Sequence, residues 1–382
     1  MKLASSSWDS REIRALEEVI ESGNFSMGCR VKEFEKRFAE FFGSNYAVMV
    51  NSGSSANLLM VAALFYRSIN PLQTGDEVIV PAVSWSTTYF PLHQYGLRLV
   101  FVDIDLETLN YDLDALEDAI SDRTRLVVAV NLLGNSNDFD RLNTIIDGRE
   151  VILIEDNCES MGATYKGRFT GTFGIMGSFS TYYSHHISTM EGGLVVTDDE
   201  ELYHLLLSLR SHGWTRHLPK ENSVSKAKSD DPFEESFKFV LPGYNVRPIE
   251  MMGALGLAQL EKFQTLLDHR VANARTVQDI LNGHSDLMLQ KEIGQSSWFG
   301  FSLVIKPGSE LTRADLRLRL DNLSIEYRPV VAGNFLNQPV CKLLNHRVSG
   351  QHKNSEYVDK NGLFIGNNGQ DLSRSFEILN YI

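Results

Sequence analysis

Tyr46-Ala47-Val48-Met49-Val50-Asn51-Ser52-Gly53-Ser54-Ser55-Ala56-Asn57 is an apolar run, then a glycine- and serine-rich turn, then the opening of a helical pattern that continues from Leu58 to Phe65. A short apolar run that passes through a polar turn straight into a helix is the repeating unit of an α/β sheet. The unit recurs. Glu77-Val78-Ile79-Val80, Leu99-Val100-Phe101-Val102, Arg125-Leu126-Val127-Val128-Ala129-Val130, Val151-Ile152-Leu153-Ile154 and Gly193-Leu194-Val195-Val196 each read as a strand buried on both faces, with longer segments at helical spacing between them. Ligands of open α/β sheets gather at the carboxyl ends of the strands. The turns at Asn51, at Asp103 and Asp105, and at Glu155-Asp156-Asn157 are therefore expected to surround a site.

Further along, Glu201 to Leu207 reads as a helix, Arg216 to Glu235 as an exposed polar loop, and Pro248 to Leu281 as one long helical run linking two domains. Phe299 to Ile305, a helix near Arg313 to Leu323, and Ile325 to Arg328 suit a small α+β domain. The expected division is a large domain over 1–250 and a small one over 251–382.

The chain has 382 residues, 43% hydrophobic and 22% charged, which is enough apolar material for a full core and excludes disorder and collagen-like order. Lys and Arg number 36 against 49 Asp and Glu, a net charge of −13 that disfavours nucleic acid as a main partner. Cys29, Cys158 and Cys341 have no metal-ligand spacing, so no metal is expected and a reducing cytoplasm fits best. The first residues lack an apolar signal core, and nowhere do about 18 uncharged apolar residues run together, so neither export signal nor membrane span is expected.

Three stretches offer chemistry. Asn51 to Asn57 places a helix N-terminus where its N–H groups can hold a phosphate, or is simply a capped helix. Asp156 ends an apolar strand, where an ionised carboxylate needs a partner such as a protonated ring nitrogen, or serves as a cap. Ser180-Thr181-Tyr182-Tyr183-Ser184-His185-His186, closed by Glu191-Gly192-Gly193, is poor core material. Adjacent histidines seldom face one metal, so one of them reads as a general base.

Asp156, Ser180, His185 and Glu191-Gly192-Gly193 in this order resemble the DegT/DnrJ/EryC1/StrS sugar aminotransferases. Members of that family carry at the position of His185 the lysine that bonds pyridoxal phosphate. No lysine occurs between Lys166 and Lys220. A histidine there resembles the branch of the family that has become nucleotide-sugar 3-dehydratases. The likeness extends through Leu3 to Asp9, Val80 to Tyr89, His212 to Arg216, Phe237 to Pro248 and Lys360 to Phe364.

The resemblance implies the aspartate-aminotransferase fold (fold type I of the pyridoxal-phosphate enzymes): a large domain on a mostly parallel sheet and a small C-terminal α+β domain. It implies pyridoxal 5'-phosphate and pyridoxamine 5'-phosphate held without a covalent bond, L-glutamate as amino donor, a GDP-linked 4-keto-6-deoxy sugar as substrate, and a product of the colitose type found in lipopolysaccharide. Gly53, Ser54, Ser55 and Ser180 would hold the phosphate, Trp85 the ring face and Asp156 the ring nitrogen. Glu159 stands where relatives often carry glutamine near the ring. Asn245 would reach the phosphate from the neighbouring subunit of a homodimer with shared sites. Arg247 and Arg328 match basic residues near the substrate or are structural ion pairs, and His212 matches a histidine near the cofactor. His185 would be the base and acid, with His186 structural. Alternatives are a nucleotide-sugar 4-aminotransferase working without its lysine, and an inactive binding relative. A related dehydratase with an iron–sulfur cluster is disfavoured, because three scattered cysteines do not make a four-cysteine set.

Overall fold

The computed structural model describes residues 1–382. The strands are β1 (Tyr46–Val50), β2 (Glu77–Pro81), β3 (Arg98–Val102), β4 (Thr124–Val130), β5 (Ile152–Asp156), β6 (Gly177–Ser180), β7 (Gly193–Thr197), β8 (Leu287–Met288), β9 (Gly300–Ile305), β10 (Tyr327–Arg328), β11 (His346–Val348) and β12 (Gly362–Gly366), beside two short ribbons. Eight of these form one sheet in the order β1-β7-β6-β5-β4-β2-β3-β11. Only β7 runs against its neighbours; the other pairings are parallel.

Parallel strands need helical crossovers, which cover both faces and so demand apolar residues at every strand position. Every residue of β2 and of β7 is buried. The first crossover helix, α1 (Gly53–Tyr66), is apolar nearly all round because it is buried within the largest apolar cluster of the chain. On the far face Phe34, Phe38, Phe42 and Phe179 interlock edge to face or tilted, each burial contributing ~1.5–3 kcal/mol before the entropy of ordering is charged against it.

The helical run from Pro248 is two helices, α2 (Glu250–Glu261) and α3 (Phe263–Leu281). The break falls at Lys262, whose ammonium is drawn to Ser7 O at 2.7 Å, to Glu12 at 2.7 Å and to Asp9 at 3.1 Å. Beyond it, β8-β9-β12-β10 form an antiparallel sheet. Its core is closed by Val277 and Leu281 of α3 and by Leu316 and Leu320 of the helix Arg313–Asn322.

The chain crosses the expected division at 250/251 in both directions. β11 returns to the large sheet as its edge beside β3, where Arg347 makes a two-pronged contact with buried Glu77 at 3.1 and 2.8 Å. The N-terminus goes the other way: Leu3 N donates to Glu326 at 2.9 Å and Met1 packs on the small core. No helix is long and apolar enough to cross a membrane.

Candidate active site

A cavity of about 300 Å³ opens at the carboxyl ends of β1, β4, β5 and β6, and it is lined by Gly53, Ser54, Trp85, Asp156, Glu159, Ser180, His185 and Arg328 among others. Parallel strands all deliver their carboxyl ends to one edge, which is why residues more than a hundred positions apart meet there.

Asp156 closes β5 and is buried. Its Oδ2 accepts from Asn57 Nδ2 at 2.8 Å and Thr88 Oγ1 at 2.7 Å, and its Oδ1 takes only long contacts, from Cys158 N at 3.3 Å and Ser178 Oγ at 3.5 Å. Ser178 Oγ steadies the arrangement by donating to Asn57 Oδ1 at 2.6 Å. No cation of the chain forms an ion pair with it. A buried anion with one oxygen held and the other lightly used suits a protonated ring nitrogen.

At the other end α1 begins. Ser52 caps it by accepting from Ser55 N at 3.1 Å, so the capping reading holds and the first N–H groups still lack partners inside the helix. A Cβ at Gly53 would stand 2.7 Å from Ser180 Cβ and 2.9 Å from Cys158 Sγ. Only glycine lets the helix end approach β6 this closely. Ser54 Oγ lies 2.9 Å from Thr87 Oγ1. Hydroxyls of Ser54, Thr87 and Ser180 around a helix N-terminus make a phosphate cradle. Trp85 is 57% exposed and supplies a flat wall. The residues present thus fit pyridoxal phosphate at both of its polar ends.

His185 Nδ1 lies 2.8 Å from Cys158 O. A carbonyl only accepts, so Nδ1 carries the proton and Nε2 carries the lone pair. Burial pulls the imidazole's proton affinity down to about 4, with the positive charges of Arg270 and Arg328 acting the same way, against the raising effect of the Cys158 carbonyl and Asp156. His185 is therefore neutral at physiological pH, the state a base requires. Glu159 is pushed up to about 7 by burial, with Arg328 and the Leu133 N–H at 3.2 Å opposing the rise. Arg328 rests on the Phe364 ring at 4.5 Å and its buried Nε has no partner, leaving the guanidinium unengaged by any carboxylate. The Cys158 thiol is held protonated by burial and offers no nucleophile.

The other expected residues lie elsewhere in the single chain. Ser55 turns its hydroxyl to Asn51 Oδ1 at 2.7 Å. Asn245 and Arg247, joined at 3.0 Å, line a separate surface hollow with Arg216 and His217. His212 sits outside the cavity in a positive-φ turn (φ 62°). His186 is buried with Nε2 at 3.2 Å from Ser297 O. Asp103 and Asp105 do not reach the site: Asp103 accepts from Asn354 N and Ser355 N, each at 2.8 Å, capping the helix Lys353–Asn361, and Asp105 closes its own turn. No three His, Cys, Asp or Glu side chains are grouped to hold a metal ion. Asn57 and Thr88 were missed as site residues. Asn57 had a signal: it is the one amide in an otherwise apolar helix after the turn.

Comparison with known proteins places this geometry. A model of the DegT/DnrJ/EryC1/StrS aminotransferase family matches residues 6–367. The chain is 56% identical over 378 residues to the GDP-4-keto-6-deoxy-D-mannose 3-dehydratase of Yersinia pseudotuberculosis, covering 99% of this chain and 96% of that one. The solved structure of the Escherichia coli GDP-4-keto-6-deoxy-D-mannose 3-dehydratase with bound hydrated PLP matches with a TM-score of 0.98 at 56% identity, over 99% of this chain and 98% of that one. A histidine-to-asparagine variant of GDP-4-keto-6-deoxymannose 3-dehydratase with bound GDP-perosamine matches equally, with a TM-score of 0.98 and the same coverage.

Proposed function

The chain belongs to the DegT/DnrJ/EryC1/StrS aminotransferase family, and from that premise we propose that it is a GDP-4-keto-6-deoxy-D-mannose 3-dehydratase that uses pyridoxal and pyridoxamine phosphate. The observation that carries the reading is His185: a neutral imidazole with a free Nε2 in the cavity, in a stretch without lysine from 167 to 219.

When bound, the cofactor ferries the amino group of glutamate and serves as an electron sink. Asp156 would hold the ring nitrogen protonated; Gly53, Ser54 and Ser180 would bind the phosphate, while Ser55 stays engaged with Asn51 and Ser52; Trp85 would cover one face of the ring, and Glu159 would border it. His185 Nε2 accepts a proton in the cavity. Its low affinity for that proton makes it a ready acid, and the proton passes to the C3 hydroxyl of the sugar as it departs as water. An imidazole cannot take a lysine's place in covalent displacement, so the reaction ends in elimination and not in a retained amine. The balance is one glutamate converted to 2-oxoglutarate and ammonia for each oxygen removed from the sugar, whose C4 ketone is kept.

Arg328 meets the anionic substrate or glutamate from within the chain. The hollow formed by Asn245 and Arg247, with His212 close by in sequence to Arg216, is assigned to the cavity of a second copy: a two-fold homodimer would bring one chain's hollow to the other's cavity. Three free cysteines suit a reducing cytoplasm.

Mass spectrometry of the nucleotide sugar tests the reading, after incubation of the protein with the cofactor, glutamate and GDP-4-keto-6-deoxymannose. A product lighter by one oxygen is expected. A product bearing an amine at C4 would assign the chain to the aminotransferases, and an unchanged sugar with no glutamate consumed would mark it as inactive.

A further inference from the structure

Arg270, in the middle of α3, is 2% exposed, and no carboxylate lies against it. All its partners are carbonyl oxygens. Nη1 donates to Trp298 at 3.4 Å, Phe299 at 3.2 Å and Asn367 at 3.0 Å, and Nη2 to His185 at 3.3 Å. Its Nε has no partner. A buried guanidinium without a counter-ion is expensive to keep. Its cost to the fold asks what it does for the site.

The four carbonyls come from three separate stretches: the loop between β6 and β7, the approach to β9, and the segment after β12. Arg270 therefore ties the peptide of His185 to the small sheet. The imidazole of the same residue is held at its other end by Cys158 O. Arg270 does not line the cavity and touches neither substrate nor cofactor space.

Taking His185 as the base, as proposed above, we infer that Arg270 is a positioning residue for it: the guanidinium fixes the His185 peptide against the small sheet while Cys158 O holds the ring, and its unmatched positive charge stands on the side of the imidazole away from the cavity. The groups facing His185 are Arg270 from α3, Arg328 from β10, Asp156 at the end of β5, Glu159 and the Cys158 thiol just beyond it, and His186 beside it, with Tyr182 and Phe299 as aromatic neighbours. Arg270 and Arg328 are positive, Asp156 is the carboxylate proposed for the cofactor, and Glu159 gains charge only as pH rises through about 7. At about 9, Arg270 stays protonated at neutral pH despite its burial, and His186 is held low by burial and then by Arg270.

The test is a pH titration of the His185 imidazole by NMR in the full-length, cofactor-loaded protein, assigned with His185→Asn, and repeated in Arg270→Gln and Arg270→Lys. Arg270→Gln keeps donors without charge and should move the titration up by about one pH unit, carrying the acid limb of the glutamate half-reaction with it. Arg270→Lys keeps charge without the fork; the titration should stay low while kcat falls on the order of 10-fold with little change in KM. A folded Arg270→Gln protein whose His185 titrates where the wild type does overturns the inference. So does a wild-type His185 titrating in the ordinary range near ~6.5, an arm that stands even if Arg270→Gln does not fold. Failure of the dehydratase reading appears separately, as absence of the deoxygenated sugar, because the titration needs no sugar.

Discussion

The imidazole Nδ1 of His185 stands 2.8 Å from the backbone oxygen of Cys158, the second residue past Asp156. The strand end that carries the Asp156 carboxylate therefore also sets the tautomer of His185, the two groups proposed to serve the ring nitrogen and the proton transfer. Two functional groups share one short stretch of backbone, so the proton-accepting lone pair and the anion keep a fixed separation.

Replacing His185 by asparagine keeps a donor for the Cys158 carbonyl but removes the titrating lone pair. Turnover should fall ~10²–10⁴-fold while the absorbance of bound cofactor persists. Steady-state kcat and a cofactor spectrum on the same sample check both halves.

Thr88→Val removes one of the two hydrogen bonds on Asp156 Oδ2 at nearly constant volume. A hydrogen bond to a charged group is worth ~1.5–3 kcal/mol. Cofactor binding should weaken by at least ~10-fold, which equilibrium dialysis measures, with the melting temperature of the cofactor-free protein changed far less.

Glu159 holds its proton up to about 7 in the folded chain, against an ordinary 4.5. Between those two values the folded state binds a proton that the unfolded chain has released, so this group's contribution to stability is intact below ~4.5 and shrinks as pH rises through ~7. Glu159→Gln has no such titration. The melting temperature of the variant relative to wild type should climb across that window and level off above it; a difference independent of pH would place Glu159 in a solvated setting.

If Asn245 serves the partner's site, mixing His185→Asn and Asn245→Ala chains creates dimers with one intact site. Each variant alone should be weak, and an equimolar re-equilibrated mixture should regain roughly a quarter of the wild-type rate. Simple averaging of the two parent rates would mean that each chain's site is self-contained.

Strands β1 to β5 and β7 were legible because burial on both faces leaves an unbroken apolar run. β6 was not, since Gly177-Ser178-Phe179-Ser180 has little strand propensity and is held by its neighbours. β11, three residues of His346-Arg347-Val348, exists because the exposed edge at β3 takes a partner. The break at Lys262 is set by acidic residues some 250 positions away in sequence, which no local pattern records. In the site, residues at strand ends showed themselves through polarity in an apolar context. Asp103 shared that mark but caps a remote helix. Thr88 and Arg270 act through partners brought near only by folding, and nothing in their own neighbourhoods announces them.

The central claim is that a histidine in place of the lysine converts amine transfer into deoxygenation. Its most direct test is the stoichiometry of ammonia, 2-oxoglutarate and consumed GDP-4-keto-6-deoxymannose in one reaction mixture. Equal amounts of ammonia and 2-oxoglutarate, matched by loss of the sugar substrate, are predicted. Formation of 2-oxoglutarate with no ammonia, the nitrogen remaining on the sugar, would contradict it.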